Sequence, residues 1–123
     1  ASKNGGAFCN DRPIKVSDIK EAVQGTIMTG IPAKSFYSDV EFKSMIKLFQ
    51  KWKKVRMIGS AAIANLYVAN GQADCYEEKG TFLWDVAAGA IIVREAGGLA
   101  YLTKPDDDFR VDAKFTNGKV ESL

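Results

Sequence analysis

"GTFLWDVAAGAIIVREAGG", residues 80–98, decides how this chain is read. A carboxylate, Asp85, follows Trp84 and heads an apolar run that is broken only at Arg94 and Glu95. The run predicts a helix from Asp85 to about Ala96, stopped by Gly97 and Gly98. Because it is apolar on nearly every side, that helix is expected between layers, not on a surface. Asp85 then has two readings. As an N-cap it satisfies an N–H of the first turn, worth roughly 0.5–2 kcal/mol. As a metal ligand it would hold Mg2+ beside an anion bound at the helix start. Magnesium takes about six oxygens, usually a few carboxylates with phosphate and water, so one Asp does not complete such a site.

Upstream, strand and helix patterns alternate. Residues 6–16 predict two short strands around the turn formers of "CNDRP". "QGTIMT" (24–29) predicts a strand that breaks at "GIPAK" (30–34). Ser38 and Glu41 form the S-x-x-E capping box of a helix in which Phe42, Met45, Ile46, Phe49 and Trp52 share an apolar face. Lysines 43, 47, 51 and 53 lie mostly between them, which reads as a solvated face before it reads as a phosphate patch. "VRMIG" (55–59) predicts a strand, and "SAAIANLYVAN" a helix capped by Ser60 and stopped at Gly71. "ADCYE" (73–77) and "LAYLT" (99–103) predict strands. "AKFTNGKV" (113–120) predicts a last strand running into a turn. Such alternation implies an α/β fold, a mixed or partly parallel sheet with helices packed on it.

Composition narrows the chemistry. The 123 residues suffice for one domain with a core. A net charge of +2 gives no argument for a nucleic-acid polymer or a membrane surface as partner. The chain has no histidine, which removes His-based triads and the usual general base. Cys9 and Cys75 form neither a C-x-x-C pair nor a disulfide framework, which points to reduced thiols and a cytoplasmic setting. The start lacks a Met and reads as the middle of a hairpin, so a fragment is expected.

Two places suit an anion. A helix N-terminus presents free N–H groups and partial positive charge. At "GSAA" (59–62), Gly59 allows close approach, Ser60 offers a hydroxyl and an N–H, and Ala61 leaves room. Plain capping with small-residue packing is the alternative. Glu78, ahead of Gly80, is expected at a strand end facing the same crevice as Asp85. The acidic "DDD" (106–108) lacks the spacing of a calcium loop and reads as a solvated turn.

"WDVAAGAIIVREAGG" (84–98) resembles the C-terminal signature of the inositol monophosphatase family of magnesium-dependent, lithium-sensitive phosphatases. "RMIGSAA" (56–62), "YVANGQADCYEE" (67–78), "GGAFCNDRPIKVS" (5–17) and "TGIP" (29–32) resemble its flanking segments in the same order. The resemblance implies a layered αβα sandwich, a mixed sheet flanked by helices. Residues 1–16 would be the last hairpin of a first domain, and residues 17–123 the C-terminal αβα domain. It implies hydrolysis of a phosphate monoester with Mg2+, which activates water and neutralises developing charge. It implies Asp85 as a metal ligand and Gly59, Ser60, Ala61 and Glu78 at the substrate, with Glu78 accepting hydroxyl hydrogen bonds from a polyol. Inositol monophosphate is the first expected substrate; fructose 1,6-bisphosphate and 3'-phosphoadenosine nucleotides are the others. A homodimer is expected by analogy. The family's early Glu and its D-P-[IL]-D-G-T segment are not in this sequence. These 123 residues are therefore expected to lack turnover without the missing N-terminal half. A non-catalytic regulatory or anion-binding domain that kept the fold is the competing expectation.

Overall fold

The computed structural model describes residues 1–31 and 36–120. The break expected at 30–34 and the Pro of "TGIP" fall partly or wholly outside them.

A hairpin opens the chain, with β1 at Phe8–Cys9 and β2 at Arg12–Pro13. Its two-residue turn puts Asn10 and Asp11 at φ 49° and 65°, the left-handed pair that hairpin twist requires. A 3-10 turn at Ala22–Gln24 leads into β3, Thr26–Thr29. Helix α1 spans Asp39–Gln50, β4 Lys54–Arg56 and α2 Ala61–Ala69. Then come β5 (Cys75–Phe82), α3 (Leu83–Glu95), β6 (Leu99–Leu102) and β7 (Arg110–Thr116).

Five strands form one mixed sheet in the order β4-β3-β5-β7-β6. β3 runs parallel to both β4 and β5; β7 is antiparallel to β5 and β6. Side-chain alternation separates two faces. Met28, Tyr76, Val111, Ala113 and Phe115 meet α2 and α3, whose Ala64, Val68, Val86, Ala90 and Val93 complete the main core. Ile27 and Cys75 point the other way, onto Trp52, Val120 and the half-buried Leu48 of α1. Each fully buried large side chain contributes roughly 1.5–3 kcal/mol. The fold is the mixed sheet flanked by helices that the sequence implied. No helix of the described residues is long and apolar enough to cross a membrane.

Four expectations change in detail. The capping box of α1 forms as read, with Ser38 accepting from the Glu41 N–H, but the predicted apolar face is largely outside. Phe42 and Ile46 are about half exposed, and of the five only Trp52 is buried. α1 touches the sheet through its C-terminal half, so only Met45, Leu48 and Phe49 are even half-buried. β5 is longer than predicted. It passes Glu78, bulges before Thr81, and pairs with β7 as far as Phe82↔Arg110. Glu78 therefore lies inside a strand, not at its end.

That length moves the start of α3. Asp85 is not its N-cap; Phe82 is, without a side-chain cap. The strand delivers the chain directly into the helix, and the Leu83 N–H, one of the donors the first turn leaves free, is satisfied by the Phe109 carbonyl at 2.8 Å. Asp85 becomes the third helical residue, still in the turn where the dipole favours an anion. The helix ends as expected. The Gly98 N–H reaches the Val93 carbonyl at 2.9 Å and the Gly97 N–H that of Arg94 at 3.1 Å, a Schellman pair.

α3, expected between two layers, is covered on one side only among the described residues, and so is α2 beside it. Ile63, Leu66 and Tyr67 on α2, with Trp84, Ala87, Ala88 and Ile91 on α3, are exposed and apolar.

Glu95, at the end of the opening stretch, fastens the N-terminal segment. Its carboxylate accepts the Gly6 N–H at 2.9 Å and the Asn4 N–H at 3.0 Å. These donors, Gly6 first, hold its pKa below the usual glutamate range. A depressed carboxylate stabilises the attached form fully above its unfolded pKa, about 4.3. That contribution is lost as pH falls through the lower folded value. The Gly6 amide resonance should therefore follow a titration with its midpoint below that of an ordinary glutamate. A midpoint at or above the ordinary value would contradict this anchoring.

Candidate functional site

Topology puts the candidate residues at one end of the sheet. β3, β4 and β5 run in the same direction, so their C-terminal ends share an edge. α2 follows β4 and α3 follows β5, so both helices begin at that edge, where open α/β sheets collect ligands. The N-terminal halves of the two helices touch. Asn65 of α2 donates from Nδ2 to the Asp85 carbonyl at 3.3 Å and packs against Gly89. Its buried Oδ1 has no partner among the described residues.

At the start of α2, Ser60 is the N-cap and accepts the Ile63 N–H at 3.3 Å. Gly59 precedes it at φ 76°, a left-handed conformation that favours glycine, and nothing lies within 4 Å of where a Cβ would stand. Ala61 is the first helical residue. The first N–H groups of the helix have no intrahelical acceptor, which leaves an anion-competent end.

Asp85 is half-buried in the first turn of α3. Outside it, Trp84 stacks on Phe82 at 4.7 Å, and Arg110 lies over the Phe82 ring at 4.2 Å. The described residues contain no cluster of three or more His, Cys, Asp or Glu that could hold a metal ion. Asp85 can supply one oxygen ligand, which falls short of a magnesium shell.

Glu78 is half-buried on the α2/α3 face of β5. Its Oε2 accepts the Tyr76 hydroxyl at 2.7 Å. Burial, then this hydrogen bond and the Glu78 charge, push the Tyr76 phenol far above its ordinary pKa; Asp85 adds in the same direction. The phenol therefore stays protonated and senses both acids. Neighbouring Cys75 is pushed up to about 12 by burial, Glu77 and Asp74 adding to it, and behaves as core rather than nucleophile.

A cleft of about 620 Å³ opens between β3, β5 and α1, lined by Thr29, Gly30, Tyr37, Glu41, Glu78 and others. Of the five residues singled out from sequence, only Glu78 lines it; Gly59, Ser60, Ala61 and Asp85 do not. Gly59–Ala61 and Asp85 sit at helix starts, and Glu78 sits within β5 beside the end of β3. Sequence reasoning did not single out Tyr76, Gly30 or Asn65. The Tyr76–Glu78 spacing of two, which puts both on one strand face, was the available signal.

The chain matches the inositol monophosphatase family over residues 1–120. It is 40% identical over 116 residues to the Nus factor SuhB of Xylella fastidiosa, covering 93% of this chain and 42% of that one. It is 39% identical over 118 residues to an inositol-1-monophosphatase of Synechocystis, covering 94% and 41%. A solved inositol monophosphatase from Anabaena superposes with a TM-score of 0.78 at 35% identity, covering 96% of this chain and 48% of that chain. The chain thus spans about two-fifths of the length of these curated relatives.

Proposed function

This chain belongs to the inositol monophosphatase family, and on that premise we propose that it is the C-terminal part of a Mg2+-dependent phosphatase acting on a small phosphate monoester. Inositol monophosphate is the leading substrate. The relatives compared are named as inositol monophosphatases or as SuhB, so a phosphatase family is the established part. What supports the rest is the approach of two helix starts, α2 after β4 and α3 after β5, with Glu78 on β5 beside the end of β3.

In this reading the α2 start, with Gly59, Ser60 and Ala61, receives phosphate oxygens. Glu78 accepts hydrogen bonds from polyol hydroxyls beside the phosphate, and Asp85 supplies one carboxylate ligand. Bound Mg2+ would activate water and neutralise charge on the phosphoryl oxygens. The remaining ligands come from the N-terminal half of a family-length chain, covering the apolar outer sides of α2 and α3. The segment 1–16 belongs to that half and 17–123 is the C-terminal domain; cytoplasmic location, lithium sensitivity and a homodimer follow by family analogy only.

The test is Glu78→Gln in the family-length protein carrying this segment. Glutamine halves the acceptor capacity and removes the charge, so kcat/KM for inositol monophosphate should fall at least about tenfold more than for p-nitrophenyl phosphate. Equal losses on both substrates would remove Glu78 from the substrate.

A second reading has a specific support: a relative that aligns with 93% of this chain, itself covered to 42%, is named a Nus factor. In that reading the segment belongs to a protein whose role does not depend on hydrolysis. Loss of that role in a turnover-dead variant would exclude it.

A further inference from the structure

Tyr76, the second residue of β5, is 1% exposed and packed on Phe115 at a centroid distance of 5.7 Å. A phenylalanine would fill the same space. Its hydroxyl instead donates to Glu78 Oε2 at 2.7 Å. The other oxygen of that carboxylate, Oε1, occupies the position a Cβ on Gly30 would need. Gly30 is itself tethered: the preceding Thr29 hydroxyl donates to the Glu77 carbonyl at 2.6 Å, locking the end of β3 to β5. Glu78 is thus held from below by a buried donor and from the side by a glycine that leaves it room. A free glutamate explores several rotamers, and ordering it on binding carries an entropy cost. Here that ordering precedes any ligand.

We propose that Tyr76 is a positioning residue which, with Gly30, fixes the Glu78 carboxylate in the orientation that selects hydroxylated phosphate esters. This rests on the reading of Glu78 given under Proposed function. The carboxylate has about four lone-pair sites. Tyr76 uses one on Oε2 and leaves Oε1, beside Gly30 and the cleft, to accept from substrate. Because the phenol stays protonated, it donates throughout the neutral range.

The experiment is a double-mutant cycle in the family-length protein, with Tyr76→Phe, Glu78→Gln and the pair. Each is assayed on inositol monophosphate and on p-nitrophenyl phosphate, which has no neighbouring hydroxyl. Tyr76→Phe should lower the preference for the polyol ester about three- to tenfold, mainly through KM, as expected for the net effect of one ordinary hydrogen bond that orients a carboxylate still present. In the Glu78→Gln background it should change the preference no further. Gly30→Ala, with Tyr76 intact, should reproduce the loss by displacing the carboxylate. An equal loss on both substrates, or an additive effect in the Glu78→Gln background, would reduce Tyr76 to a packing role and overturn the proposal. A Gly30→Ala protein with full preference would overturn the part assigned to the glycine. If Glu78→Gln itself leaves the preference unchanged, the reading of Glu78 fails first, a result distinct from failure of Tyr76 alone.

Discussion

Asp85→Asn in the family-length protein is expected to lower kcat by more than about 100-fold while folding survives. Residues that merely support a metal ligand typically cost 10–100-fold when changed, and a ligand itself should exceed that. Asparagine keeps the shape and the first-turn position but removes the charge that would hold Mg2+. Folding should survive for a local reason: Phe82, not Asp85, is the N-cap, and the Leu83 N–H is satisfied by the Phe109 carbonyl. What Asp85 gives the helix is a dipole contribution of about 0.3–1 kcal/mol. A drop in Mg2+ affinity should accompany the loss of rate. Near-normal turnover with unchanged affinity would remove Asp85 from the metal site.

The largest effect on stability is expected at Asp74. Its side chain is 6% exposed, and it holds together three distant parts of the chain. Oδ2 accepts the Thr26 N–H at 2.7 Å and Oδ1 accepts the Ser17 hydroxyl. Its carbonyl accepts the Asn117 N–H at 3.1 Å. Asn117, 1% exposed, returns to Ser17 Oγ at 2.9 Å and to the Ile19 carbonyl at 2.7 Å. Asp74→Ala leaves two part-buried donors without their charged acceptor, each bond of this kind contributing roughly 1.5–3 kcal/mol. The expected cost is about 3 kcal/mol, a fall in Tm of about 10 °C. Asp74→Asn should lie between, since one amide oxygen faces two donors. A loss below about 1 kcal/mol for the alanine variant would show that water replaces the carboxylate without difficulty. The preference between polyol and aryl esters should be unchanged in either variant, because this network lies at the opposite end of β3 from Gly30.

Local signals were legible where a few neighbouring residues settle the conformation. The Ser38–Glu41 box, the Ser60 cap, the Asn10–Asp11 turn and the Gly97–Gly98 stop all form as read. Misreadings occurred where a distant strand intervened. β5 continues beyond Glu77 because β7 supplies partners up to Arg110, and this extension turned the expected cap at Asp85 into a third helical position. The apolar side of α1 could be read, but not its lack of cover. Phe42 and Ile46 have the right spacing for a core face but stay about half exposed, Phe42 against the Tyr37 ring at 5.6 Å.

By itself the sequence determined the α/β class, the order of elements and the family, because these depend on periodicity, caps and a long motif that neighbouring residues write. It also named Asp85, Glu78 and the Gly59–Ala61 segment as candidates. Only the tertiary structure decided that β3, β4 and β5 run parallel, which brings both helix starts to one end of the sheet and leaves Glu78 on β5 beside the end of β3. Only the tertiary structure decided that Tyr76 and Gly30 define the Glu78 carboxylate from two sides. The reason is one of range. A hydrogen bond between residues two apart on one strand needs only a period of two, but a glycine 48 positions away meets that carboxylate solely because two strands pair in one register.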